Sequence, residues 1–202
     1  MSAMPSLILA STSRYRRELL ERLRLPFQTA APGVDETARP DEEPLALALR
    51  LAKAKAAVVA ARHPDAVVIG SDQVAVCRGR VLGKPGTFER ALAQLQTMAG
   101  QEVVFHSALT VMRGATVESV SVPTTCRLRP LSEDQLRAYL HAEAPFDTAG
   151  SAKAEGLGIA LMEDIRSDDP TALIGLPLIA LTRLLGRFGL DPLDALRRGS
   201  PA

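Results

Sequence analysis

Apolar residues recur along this chain in two rhythms, short unbroken runs and stripes at helical spacing, and the two alternate from the start. Leu7-Ile8-Leu9-Ala10 predicts a first buried strand, followed by the polar turn Ser11-Thr12-Ser13. Leu19, Leu20 and Leu23 form the apolar stripe of a helix expected over Arg14 to Leu23. Phe27 to Ala31 predicts a second strand, and Pro32-Gly33-Val34-Asp35-Glu36 a loop. A long helix is expected from Pro44 to Arg62, with Leu45, Leu49, Ala52 and Ala56 at helical spacing. Val67-Val68-Ile69-Gly70 is a β-branched run that leads into Ser71-Asp72-Gln73, so Asp72 is expected at the carboxyl end of a buried strand.

Further on, Arg78-Gly79-Arg80 reads as a hairpin turn before Val81 and Leu82. Thr87 is placed to cap a helix ending near Gly100. Val103–Met112 and Val117–Leu128 predict two longer strands joined at Arg113-Gly114-Ala115. Ser132 and Gln135 have capping-box spacing at the start of a helix running to Glu143. Gly158 to Met162 is expected to be a strand, and Leu176 to Phe188 a final helix with Pro177 in its first turn. The last few residues are expected to fray. The order predicts an α/β protein whose outer parts surround a β-rich middle section, one unit with two lobes and a cleft.

Composition narrows the classes. At 202 residues the chain suffices for one substantial core or two small lobes. A formal net charge of +1 argues against a general nucleic-acid or membrane-surface binder, which carries a basic excess. Cys77 and Cys126 have neither metal-site spacing nor the look of a disulfide framework. No secretory signal and no membrane-spanning apolar run is visible, so a cytoplasmic location is the expectation.

Several residues have types suited to anion chemistry. In open α/β sheets ligands sit beyond the carboxyl ends of strands, which makes Asp72 a candidate acid, base or metal ligand. A carboxylate capping a loop accounts for the segment equally well. Ser11-Thr12-Ser13 precedes a helix N-terminus bearing Arg16 and Arg17, where unpaired N–H groups and the helix dipole favour phosphate. An N-cap serine followed by solvated arginines explains the same residues. Lys55 in the alanine-rich helix either projects along the helix toward the cleft or, with Lys53, belongs to a solvated face, the reading that the segment favours in isolation. Lys84 is held between Gly83 and Pro85, and Lys153 lies in a small-residue loop. Glu36, Asp72 and Glu155 are the carboxylates expected to share a cleft. Phosphoanhydride cleavage needs a hard cation on one or two carboxylates, a positioned water and cations around the phosphates. His63, His106 and His141 are scattered without ligand spacing.

Taken in order, Leu9-Ala10-Ser11-Thr12-Ser13 with Arg16, Val34-Asp35-Glu36, Arg50-Leu51-Ala52 with Lys55-Ala56, Gly70-Ser71-Asp72-Gln73, Gly83-Lys84-Pro85, Ala149-Gly150-Ser151 and Gly175-Leu176-Pro177-Leu178 resemble the Maf-like nucleotide pyrophosphatases. The resemblance spans Leu7 to Leu193, so residues 1–202 are expected to form one such domain. It implies an elongated α/β fold, related to inosine-triphosphate pyrophosphatase, with a mixed sheet, flanking helices and a central cleft between two lobes. It also implies metal-dependent cleavage of a nucleoside triphosphate to a monophosphate and pyrophosphate. Asp72 maps to the catalytic position, Ser11, Arg16, Lys55 and Lys84 to substrate-binding positions, and Glu36 with Asp72 to the metal (Mg, Mn or Co).

Gln73, Tyr15 and Glu155 stand where the 7-methyl-GTP branch has a Ser-Asp-Gln motif, an aromatic residue and a Ser-Glu-Gly loop. An aromatic face attracts the cationic methylated base, and Glu155 is suited to accept from the guanine edge. The implied role is removal of a non-standard nucleotide. The alternatives are dTTP, UTP or another modified nucleotide, or a nucleotide-binding regulator of cell division. No nucleic-acid or membrane partner is expected, and a homodimer is the assembly left open. Two positions depart from the family pattern: Arg14 replaces a frequent proline, and Tyr15 a common tryptophan, which implies broader base preference.

Overall fold

The computed structural model describes residues 4–199. Its strands are β1 (Leu7–Leu9), β2 (Gln28–Thr29), β3 (Val67–Cys77), β4 (Arg80–Leu82), β5 (Glu102–Arg113), β6 (Thr116–Leu128) and β7 (Met162–Ser167). Its α-helices are α1 (Arg14–Glu21), α2 (Pro44–Arg62), α3 (Phe88–Met98), α4 (Glu133–Glu143), α5 (Leu178–Arg187) and α6 (Pro192–Gly199). The strands form one mixed sheet in the order β2-β1-β3-β5-β6-β7, with β4 paired to β3. The chain divides into two compact units. One holds the residues up to Asp72, Ser107–Val122 and those from Asp169 on; the other holds Gln73–His106 and Pro123–Asp168.

In the first unit, β1 lies parallel to both β2 and β3, with Leu9 opposite Thr29 and Ile69. Alternation along β1 and β3 decides which helices cover them. Leu7, Leu9, Val67 and Ile69 join Leu19 and Leu20 of α1 and Leu181, Leu184 and Leu185 of α5 in one core. Ile8, Ala10 and Val68 face the other way, onto Ala56 and Val59 of α2. Both faces are buried, which is why these strands read as unbroken apolar runs.

Gly70 continues the second of these faces. A Cβ there would collide with the Ala52 carbonyl and lie 2.7 Å from the Ala56 backbone nitrogen. Two alanines on α2 and a glycine on β3 therefore let helix and strand approach more closely than side chains would allow.

In the second unit, Arg78 and Gly79 both take positive φ and close the β3–β4 hairpin, which pairs Cys77 with Arg80. Thr87 caps α3, and Ser132 and Gln135 complete the expected capping box of α4. Strand β7 is antiparallel to β6.

Three expectations need correction. Asp72 does not end its strand: β3 runs on to Cys77 because its second half pairs with β4, although the parallel ladder with β1 stops at Ile69. Residues 157–161 form a 3₁₀ turn rather than a strand, because the chain folds back so tightly that Gly158 packs on the Lys153 backbone. The strand follows at Met162–Ser167, where a mostly exposed edge carries charged residues and no apolar signature. Pro177 is the N-cap of α5 rather than a first-turn residue. A further helix, α6, follows where no element was predicted, with Asp191 accepting from the Leu193 and Asp194 N–H groups at 2.8 and 3.1 Å. The expectation that the last few residues fray falls on the end of the chain, of which residues 200–202 lie outside the described residues.

Candidate active site

Helix α2 places Lys55 on the same stripe as the buried Ala48, Leu51, Ala52, Ala56 and Val59. A lysine in that position is desolvated and needs partners for its charge. It has two. Its Nζ lies 2.6 Å from Asp72 Oδ1 and 2.6 Å from Glu36 Oε1. Lys55 is 5% exposed and Asp72 6%, so the solvated-face reading of Lys55 fails, while Lys53 is exposed as expected. The close approach at Gly70 makes the contact: Gly70 and Asp72 are two residues apart on one strand face, both turned toward α2.

Glu36 arrives on the loop before α2 and is itself exposed. That loop is tied to the helix by Arg50, whose Nε and Nη2 donate to the Glu42 carboxylate at 2.6 and 2.7 Å. Nη2 also donates to the Thr37 carbonyl at 3.1 Å. The bidentate pair holds the Glu42 carboxyl down at about 2.

Arg16 enters from α1. Ser13 caps that helix by accepting from the Arg16 N–H, and the buried Ser11 Oγ accepts from the Ser13 N–H at 3.1 Å. The turn thus forms with arginine at position 14. Arg16 Nε donates to the Gly175 carbonyl at 3.0 Å, and Ser71 Oγ lies 2.9 Å from that oxygen. Burial lowers the Arg16 pKa, against the fields of Asp72 and Glu36, which raise it. Burial likewise pushes Asp72 above the usual carboxylate range, opposed by Lys55 and Arg16 and reinforced by Glu36. Two carboxylates and two cations therefore share one electrostatic neighbourhood inside the first unit.

Tyr15, half-buried, has the Arg14 guanidinium 4.7 Å from its ring centroid, and Arg14 Nη2 donates to its hydroxyl at 2.9 Å. Gln73 follows Asp72 on a continuous strand and so leaves on the opposite face, the one that carries Ser71. Lys84 and Glu155 are exposed residues of the second unit. Two loops there are fastened by polar contacts. Gln94 Nε2 donates to the Gly83 carbonyl at 3.0 Å, and its Oε1 accepts from Ser151 Oγ at 3.0 Å. Tyr139 donates to the Ser151 carbonyl at 3.0 Å and accepts from the Lys153 N–H at 3.1 Å, while Lys153 Nζ pairs with Glu143.

Sequence reasoning missed Arg50, Ser71, Tyr139 and Asp169 as contributors. Asp169, 2% exposed, accepts from the N–H groups of Ile179 and Ala180. No local signal pointed to it, since the sequence placed Pro177 inside the first turn and Asp169 lies far upstream of the N-cap. Among the described residues, no group of three or more His, Cys, Asp or Glu is arranged to hold a metal ion. No helix among them is long and apolar enough to cross a membrane.

The fold and this centre define an α/β protein with a buried lysine bridging two carboxylates beside an arginine. The chain belongs to the Maf-like protein family, whose profile matches residues 6–188. It is 65% identical over 198 residues to a 7-methyl-GTP pyrophosphatase of Bordetella pertussis, covering 98% of each chain. It is 62% identical over 190 residues to the protein of that name from Burkholderia pseudomallei, covering 92% of this chain and 88% of that one. The Thiobacillus denitrificans protein of the same name is 58% identical over 191 residues, covering 94% and 95%.

Proposed function

We propose that this chain is a nucleotide pyrophosphatase that hydrolyses 7-methyl-GTP to 7-methyl-GMP and pyrophosphate, clearing a non-standard nucleotide. The observation that carries the reading is the Lys55 bridge between Glu36 and Asp72 with Arg16 beside it. The names of the relatives supply the substrate.

In this reading Lys55, Arg16, Ser11 and Lys84 hold the triphosphate. Asp72 orients the attacking water and takes its proton on Oδ2, Oδ1 being engaged by Lys55. A carboxyl raised by burial is a better base than a free aspartate. Water adds to phosphorus, the α–β anhydride bond breaks, and pyrophosphate leaves. Tyr15, Gln73 and Glu155 choose the base, Gln73 from the face of Ser71.

Glu36 and Asp72 fit a hard divalent cation. Their oxygens converge on one cationic point, and such an ion takes one or two carboxylates with substrate oxygens and waters. When bound, it would neutralise phosphate charge and polarise the phosphoryl oxygens. We place the protein in the cytoplasm, free of nucleic acid and membrane, with a homodimer as its candidate assembly.

A pyrophosphate-release assay over 7-methyl-GTP, GTP, dTTP, UTP and other modified nucleotides, with Mg²⁺, Mn²⁺ or Co²⁺, tests the reading. The highest kcat/KM is expected for 7-methyl-GTP. A preference for dTTP or UTP would reassign the substrate, and binding without any turnover would favour the cell-division regulator.

A further inference from the structure

Helix α5 begins at Leu178 behind Pro177, which has no side-chain acceptor to offer the first turn. The first-turn N–H groups are served instead from far upstream. Thr171 Oγ1 accepts from Leu178 N at 2.8 Å, and Asp169 Oδ2 accepts from Ile179 N at 2.7 Å and Ala180 N at 3.3 Å. The other carboxylate oxygen, Oδ1, accepts from Thr171 N at 3.0 Å and Thr171 Oγ1 at 2.7 Å. Ser107 adds a donor to the Ala172 carbonyl at 2.6 Å. A negative charge at this helix end is also favoured by the dipole.

These contacts hold the segment between Asp169 and Leu178 in one shape, and that shape presents the Gly175 carbonyl. Gly175 has φ +109, and a Cβ on it would meet Arg16 Nε at 3.5 Å. Its oxygen accepts from Arg16 Nε, and Ser71, the neighbour of Asp72, shares its hydroxyl proton between this oxygen and the Ala108 carbonyl, each 2.9 Å away. We propose that Asp169 is a positioning residue: by capping α5 from outside the helix it fixes the loop whose Gly175 carbonyl aims Arg16 and steadies Ser71. The catalytic consequence rests on the pyrophosphatase reading above; the mechanical link does not.

The decisive variant is Asp169→Asn. An amide has one acceptor oxygen, so in either orientation an NH₂ group faces N–H or O–H donors. The first readout is independent of turnover: hydrogen exchange of the Arg16 Nε–H, assigned in ¹⁵N spectra by its loss in Arg16→Lys. Exchange is expected to be about tenfold faster in the variant, and unchanged exchange would overturn the link. The second readout is kinetic, using full-length protein. Asp169→Asn should raise the KM for 7-methyl-GTP about fivefold, more than it lowers kcat, and should add little when Arg16 is already Gln. A loss confined to kcat, equal in both backgrounds, would mean a merely structural residue and sink the proposal. If Asp169→Asn does not fold, Thr171→Val is measured in its place, and Thr171→Ser, which keeps the hydroxyl, should restore both readouts toward wild type. If wild type turns over no nucleotide, the functional reading falls, and the exchange experiment still decides whether Asp169 sets Arg16.

Discussion

Lys55 Nζ and Asp72 Oδ1 meet at 2.6 Å where α2 crosses β3, and both side chains are almost fully buried. Neither charge is tolerable there alone, since desolvating an unpaired ion costs several kcal/mol. Each residue is thus a condition for the other, and both depend on the backbone approach that Gly70 permits.

Lys55 lowers the Asp72 pKa and Glu36 raises it. Replacing Lys55 by Met should therefore move Asp72 titration to higher pH, and Glu36→Gln should move it to lower pH. Carboxyl ¹³C resonances of Asp72 report both shifts, and a common direction would exclude this electrostatic account. In the Lys55→Met protein the acid limb of any residual activity should rise with the titration. Stability should fall by about 3 kcal/mol, as for a broken buried pair.

Gly70→Ala adds a single methyl group against the Ala52 carbonyl. Overpacking of this kind costs about 1–3 kcal/mol, and urea unfolding should show it. Activity should fall further than stability alone explains, because α2 must shift and carry Lys55 with it. A fully active, fully stable Gly70→Ala protein would contradict the packing described above.

Arg50→Ala releases the Glu42 carboxyl, which its partner holds at about 2 instead of the ordinary 4.5. A depressed carboxyl stabilises the folded state above its unfolded pKa, and that contribution is lost as pH falls through the folded value. The stability deficit of the variant should thus be full at neutral pH and shrink from about 4.5 down to about 2. Thermal melts of both proteins across that range measure it; a constant gap would assign the effect to packing. In the proposed metal-assisted reaction, the loosened loop should also raise the metal concentration needed for half-maximal turnover.

Tyr15→Arg and Glu155→Gln each test the part in base choice proposed for these residues. Either change should reduce the kcat/KM ratio of 7-methyl-GTP over UTP by about tenfold, the scale of one lost polar or stacking contact. Unchanged ratios would remove both residues from the recognition of the base.

Arg14 places a cation 4.7 Å from the Tyr15 ring centroid, where it would repel a cationic base stacked on the same face. Arg14→Ala should accordingly raise the preference for 7-methyl-GTP over GTP. Competition assays at low ionic strength give the largest contrast, and a lower preference would mean that Arg14 assists the base instead.

Local chemistry was legible where local chemistry decides structure. Pro44 and the Ser132–Gln135 box marked helix starts because a first-turn proline and a capping box are both signals carried by neighbours in sequence. Lys55 was misjudged in isolation because its charge outweighed its position on a buried stripe; the ordered motifs around it recovered the residue. Asp72 was singled out as a candidate, but its strand was ended too early, since the pairing that prolongs β3 comes from a hairpin further along the chain. Edge strand β7 carries no apolar rhythm to detect. The cap of α5 escaped notice because Asp169 lies eight residues before the N-cap, beyond the reach of any capping rule.

The core that joins Leu7 and Leu9 to Leu181, Leu184 and Leu185 has a consequence for how the protein is made. The first strand leaves the ribosome early, and α5, which with α1 covers one of its faces, is nearly the last element translated. At ordinary elongation rates that interval is on the order of ten seconds or more. Throughout it the nascent chain carries an apolar sheet face that α1 alone covers only in part, so premature termination before α5 should yield aggregating fragments. Synthesis rate and holdase chaperones are then the cellular variables that govern its yield.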